Sequence, residues 1–175
     1  FANPDRFPDL MVIAPLGMTK DQYRHLNEVK GVQPNGVMGI AVCSPQLKKR
    51  LWQIKGLTKG PDSTLFLGVD PRIALGNPQN NTPGMLHLQF IKGDRRSAVD
   101  MLQKPRHVLI SEEVYNVTHV QPGDSIPIET NVHGEVPYTV AGVVRSPGLD
   151  ILVRFLAIGQ QFDQWSASCV FGSLA

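Results

Sequence analysis

Apolar and polar residues change rhythm several times along this chain, and each change marks an element. Residues 10–15 (LMVIAP) are an unbroken apolar run and predict a buried strand. Thr19 and Gln22 then stand at capping-box spacing. The threonine oxygen can accept an orphan N–H of a first turn, and the glutamine can reach back to the cap. Tyr23, Leu26 and Val29 follow at helical spacing, and Gly31 stands where a left-handed C-cap is wanted. A helix is therefore predicted over residues 20–30. Residues 37–43 (VMGIAVC) read as the next strand, which completes a strand–helix–strand unit.

The middle of the chain is strand-like and punctuated. Residues 51–54 and 64–69 are short apolar or alternating runs, with a Gly60-Pro61-Asp62 turn between them. Residues 76–84 (GNPQNNTPG) are rich in turn formers and have nothing apolar to bury, so they read as a loop. Leu86, Leu88 and Phe90 alternate with polar neighbours as in a half-buried strand. Asp94 can cap a helix over residues 95–103 with Val99 and Leu102 inward, and Pro105 stops it.

Residues 107–144 form the richest pattern. Val108-Leu109-Ile110 is a strand. Ser111 is a natural N-cap, and Glu112 and Glu113 complement the positive end of the helix macrodipole that follows. Pro122-Gly123-Asp124 is a turn. Ile126 and Ile128 then alternate with Pro127, which has no N–H to give and predicts an edge strand or a local bulge. A turn through His133-Gly134 leads to a returning strand with Tyr138, Val140 and Val143, in which Gly142 marks a bulge or a close backbone approach. Leu149, Leu152, Val153 and Leu156 switch to helical spacing, and residues 168–173 read as a last strand. The C-terminal end thus repeats the helix-then-strand order of the N-terminal end, around a β-rich middle. The class is α+β.

Composition narrows the picture. The 175 residues fit one domain or two small subdomains. Hydrophobic residues make up 42% and charged residues 18%, leaner in charge than the usual ~25% of globular chains. The net charge of +2 is too small for a nucleic-acid footprint, and the Lys48-Lys49-Arg50 cluster is too short to change that. No run approaches the roughly 18–20 apolar residues that span a bilayer. The start at Phe1, without a signal-peptide pattern, reads as an excised or processed piece. Two cysteines, Cys43 and Cys169, exclude a disulfide framework and leave one bridge or two buried thiols open.

Candidate chemistry is sparse. The five histidines lack metal-ligand spacing, and His87 and His107 fall in strand-like runs as exposed or hydrogen-bonded residues. No GxSxG, Walker A or GxGxxG pattern occurs. Glu112 and Glu113 diverge by about 100° on a helix and would not share a proton. Asn80-Asn81-Thr82 and Asn116-Val117-Thr118 match a glycosylation sequon, a motif short enough to recur by chance. The expectation is therefore no catalytic, cofactor-binding or metal-binding residue.

The ordered set Val108–Glu113, a short helix, Val120-Gln121-Pro122-Gly123-Asp124, an alternating strand and Tyr138–Val144 resembles the periplasmic core domain of MacB-like ABC transporter permeases (the MacB, FtsX and LolC–LolE type). Upstream, Gly68-Val69-Asp70-Pro71 and Val29-Lys30-Gly31-Val32 are similar to further family segments. The match places Gly68, Asp70, Ser111, Gly123, Asp124 and Gly142 as structural motif positions. Gly93-Asp94-Arg95-Arg96 only approximates the family's Gly-Arg pair, and the polar loop at 76–84 departs from the pattern.

The resemblance implies a porter-like α/β subdomain from both chain ends, residues 1–45 plus 146–175, with an inserted β-rich, sabre-like subdomain over 46–145. It places residues 107–144 in the insert. It implies an extracytoplasmic, non-catalytic domain tethered by flanking transmembrane helices, whose two ends leave from the same side. It would transmit ATP-driven motion to a substrate or a periplasmic partner. ATP would bind a separate cytoplasmic ATPase, and no cofactor is expected in the domain itself. Expected partners are the chain's own transmembrane helices, a second permease copy or paralogue, the ATPase, and a periplasmic adaptor or substrate protein; nucleic acid is not expected. Two other readings are a small β-barrel enzyme with the Gly123-Asp124 turn at its active site, and a secreted ligand-binding module.

Overall fold

The computed structural model describes residues 12, 14, 17–33, 36–43, 46–47, 64–80, 82–130, 132–145 and 169–174. The runs at 10–15 and 51–54, the basic cluster at 48–50, the turn at 60–62, the helix at 149–156 and the N-terminal end fall wholly or mostly outside these residues.

Helix α1 (Lys20–Glu28) carries the expected capping box: Gln22 N donates to Thr19 Oγ1 at 3.2 Å, and Thr19 N donates to Gln22 Oε1 at 2.9 Å. It ends two residues earlier than expected, because Val29 is already extended; Gly31 follows at φ +100°. Strands β1 (Ile40–Cys43), β2 (Gln46–Leu47) and β3 (Leu65–Val69) come next.

After β3 the chain departs from the sequence reading. Helix α2 (Pro71–Leu75) had not been expected. Asp70 caps it by accepting from Arg72 N at 2.9 Å, and Pro71 opens it at a position where a missing N–H costs nothing. The 76–84 segment is not a structureless loop. Strands β4 (Gly76–Asn77) and β5 (Thr82–Pro83) pair antiparallel, and the Asn77 and Asn80 side chains accept backbone N–H groups of the turn. Arg95 fastens this hairpin, donating to Leu75 O at 2.6 Å and to Thr82 O. Strand β6 (Gln89–Lys92) begins later than the alternation implied, since His87 sits in a turn at φ 45°.

The remaining elements follow the sequence closely. Asp94 caps α3 (Arg95–Leu102), which buries Ala98, Val99 and Leu102. Strand β7 (His107–Ser111) runs into α4 (Glu112–Thr118). Strands β8 (Ser125–Thr130), β9 (Gly134–Arg145) and β10 (Cys169–Ser173) complete the set.

Among the described residues, eight strands form one sheet in the order β1-β3-β10-β7-β9-β8-β2, with β6 also paired to β9. The long β9 pairs with β7 along one edge, while β8 and then β6 share its other edge. Strand β2 pairs antiparallel to β8, with Gln46 opposite Glu129 and Leu47 opposite Ile128. Strand β10 lies between β3 and β7, with Val170 opposite Phe66 on one side and Ile110 on the other. Described strands from both expected residue ranges, β1 and β10 from one and β3, β7, β8 and β9 from the other, share one sheet. In particular, β7 of the 107–144 stretch is paired directly to the C-terminal strand.

Both faces of the sheet are buried. Leu65, Leu67, Leu109, Val144 and Phe171 pack with Leu75 of α2 and Ala98, Val99 and Leu102 of α3. Val108, Ile110, Val140, Val143 and Val170 pack on the other face with Val114 of α4 and with Ile126 and Ile128. Gly142 satisfies both sequence readings. Val108 faces Val140 but Leu109 faces Gly142, so Ala141 is an extra residue in a bulge. A Cβ on Gly142 would stand 3.1 Å from Lys92 O and 3.2 Å from Leu109 and Phe90 side-chain atoms.

Candidate functional site

The ends of β3 and β10 lie side by side, because the two strands are parallel and Ser173 faces Val69. At this pole the first residues of α2, the C-cap of α3, helix α1 and the start of β1 surround an open groove of about 520 Å³. It is lined by Tyr23, Gly39, the Asp70-Pro71-Arg72 corner, Gln103 and the Ser173-Leu174 end of β10. Tyr23 comes from the apolar face of α1 and donates from its hydroxyl to Val37 O at 3.0 Å, which ties the helix to the segment leading into β1. Arg72 is exposed and donates to Gln103 Oε1 at 3.1 Å, linking the α2 and α3 ends of the wall. Leu174 N donates to Val69 O at 3.0 Å, and the Leu174 side chain lies over Gly68.

The six motif residues are not gathered into one site. Gly68 leaves room for Leu174: a Cβ there would be 2.9 Å from Leu174 Cδ2. Asp70 is held by its capping bond. Ser111 is buried at the opposite end of β7. Its Oγ accepts from Val114 N at 3.4 Å and from Cys169 N at 3.1 Å, so it caps α4 and grips the start of β10 together. Gly123, at φ 95°, donates its N–H to Val140 O at 2.8 Å, while Asp124 Oδ2 accepts from Gln121 N at 2.8 Å. These bonds fix the turn into β8. The groove has no counterpart in the sequence pattern, because Tyr23, Gln103 and Leu174 are brought together only by the fold.

Electrostatics mark structural joints. Arg145, the last residue of β9, makes a two-pronged ion pair with Glu112 at 2.5 and 2.7 Å, which holds the Glu112 carboxyl below its usual range. Backbone and side-chain hydrogen bonds from Ser97 likewise lower Asp94. Desolvation raises the Cys43 thiol. Cys43 is nonetheless exposed, whereas the sequence reading had allowed two buried thiols; Cys169 is buried, and no disulfide joins them. Cys43 shares a sheet face with Phe66 and Val170, so Cys169 points to the opposite face and a bridge would need the sheet to rearrange. Among the described residues no group of three or more His, Cys, Asp or Glu side chains could hold a metal ion, and no helix is long and apolar enough to cross a membrane. The groove's carboxylate is committed as a cap, its guanidinium is bonded to Gln103, and its other lining residues are apolar or neutral.

This mixed, curled sheet is similar in fold to the extracellular domain of an ABC-type transporter. The chain is similar to the extracellular domain of the ABC-type transporter YknZ from Gram-positive bacteria, with a TM-score of 0.50 and 16% identity, covering 91% of this chain and 64% of that one. The periplasmic region of MacB from Actinobacillus actinomycetemcomitans aligns with a TM-score of 0.43 and 13% identity, over 86% of this chain and 52% of that one. The chain thus spans less than two thirds of either domain. No family model matches it, and no curated protein matches it by sequence.

Proposed function

We propose that this chain is the extracytoplasmic domain of an ABC transporter permease subunit. It has no catalysis of its own and passes ATP-driven motion of membrane helices to a substrate or an extracytoplasmic partner. The observation that carries the reading is the likeness of fold to the YknZ extracellular domain over 91% of the chain. The two-faced core supports it, because a sheet packed on both sides moves as one body and loses little displacement inside itself. In this reading flanking transmembrane helices tether the domain and ATP binds a separate cytoplasmic ATPase. A second permease copy or paralogue completes the transporter, and an adaptor or substrate protein meets the domain outside the membrane. The partition into a porter-like unit (1–45 plus 146–175) and a β-rich insert (46–145) belongs to the same proposal.

The test uses the full-length permease reconstituted with its ATPase. A spin label is placed at Asn116, an exposed position on α4, in each of two permease copies. The distance between labels is expected to differ between the nucleotide-free and the ATP-trapped states. An identical distance distribution in both states would overturn the coupling role.

A further inference from the structure

The last described strand is held along both edges and at both ends, and the way it is held is directional. Strand β10 is central, parallel to β3 along its whole length and antiparallel to β7. Its first residue is gripped by Ser111 Oγ through Cys169 N. Its far end is continued by the bond from Leu174 N to Val69 O, with the Leu174 side chain seated over Gly68. Cys169, Val170 and Phe171 are buried on the two faces.

We propose that β10 is a load-bearing strand, built to receive force along its axis at the Leu174 end. The inference rests on the permease reading for where that force originates, but its mechanics stand alone. A pull on Leu174 along the strand must slide β10 past both neighbours. The ladder bonds to β3 and β7 are then strained together, and apolar side chains on both faces must leave their sockets in one step. A pull across the sheet at the same end would open the ladder one bond at a time, each of them weak on its own. Such an arrangement resists axial load and yields to peeling. The bare backbone at Gly68, which leaves room for Leu174, and the buried hydroxyl at Ser111 are thereby given one shared purpose, to secure the two ends of the same strand.

Single-molecule pulling on this chain tests the proposal, because forced unfolding reads the barrier along the pulled direction. One handle is a C-terminal tag. The other is attached through a thiol introduced either by Glu113→Cys, just beyond the far end of β7, or by Arg106→Cys, just before its near end. Both variants carry Cys43→Ser; Cys169 is buried and does not take a handle. The two attachments load the same pair of strands, the first in shear and the second in peeling, because β7 and β10 are antiparallel. Matching thermal midpoints with the parent confirm that both variants are folded. The expected result is a severalfold higher rupture force for the Glu113 attachment. Equal forces, or a higher force for the Arg106 attachment, would overturn the load-bearing role. That outcome would leave the permease reading to its own nucleotide-dependent distance test.

Discussion

Helices α1 and α4 begin alike and end up in different roles. Helix α1 has the more complete cap, with both halves of a capping box in place, yet it buries none of its residues. Tyr23 and Leu26 are only half covered. Helix α4 has a longer capping bond and a left-handed C-cap at His119, yet it sits on the centre of the sheet with Val114 fully buried. The difference teaches that a cap records where a helix starts and says nothing of what it leans on. The Thr19 hydroxyl serves one helix. The Ser111 hydroxyl serves a helix and a strand 58 residues away in sequence.

The largest expected effect would separate the two regions outright. Phe171 is buried at the centre of the sheet, so Phe171→Ala should cost about 3–5 kcal/mol in urea unfolding, with the midpoint falling accordingly. A Tyr23→Ala change on α1 should leave the global midpoint close to the parent's. If both shifted it equally, α1 would belong to the central cooperative unit and the contrast would be wrong.

A finer comparison sets the two caps against each other. Ser111→Ala should lower global stability by about 1–3 kcal/mol, since it removes a cap and the acceptor of the Cys169 N–H together. Thr19→Ala should cost about 0.5–1 kcal/mol, confined to α1. Hydrogen exchange distinguishes them: amides of β10 should lose protection in the first variant, and only amides of the first turn of α1 in the second.

The smallest effect concerns the joint at the end of β9. The Glu112 carboxyl is depressed by Arg145, so the folded state holds its proton less tightly than the unfolded chain does. The stabilisation is therefore complete above the unfolded value of about 4.3 and is lost as pH falls through the lower, folded value. Urea midpoints of the parent and of Glu112→Gln should differ at pH 7 and converge under strongly acidic conditions. A gap that persisted at low pH would mean that the pair contributes through packing.

The sequence carried local structure well and long-range placement poorly, for a physical reason. Thr19, Asp94 and Ser111 act on N–H groups two or three residues away, and all three are caps as read. Asp70-Pro71 was equally legible as an N-cap followed by proline at the first helical position. The polar stretch after it carries no apolar pattern to mark a folded element, because the hairpin there is stabilised by Asn77, Asn80 and Arg95 in place of apolar burial. Nothing near residues 169–173 announces that they insert between β3 and β7, since both partners lie more than fifty residues away. The same limit hid the groove and the exposure of Cys43.

The bulge at Ala141 has a consequence for how the chain tolerates changes of length. Strand β9 is written in two phases: Val140 and Val143 point to one face, Ala141 and Val144 to the other, and the count that links them is three instead of an even number. Losing one residue at this point would leave Val140 and Val143 two positions apart and still on one face, so it would remove the bulge without turning the strand over. A residue gained or lost in the 76–84 hairpin would alter only the reach of a surface turn. For anyone aligning distant sequences to this one, a gap is admissible at the hairpin, and a one-residue gap at Ala141 marks a strand without the bulge.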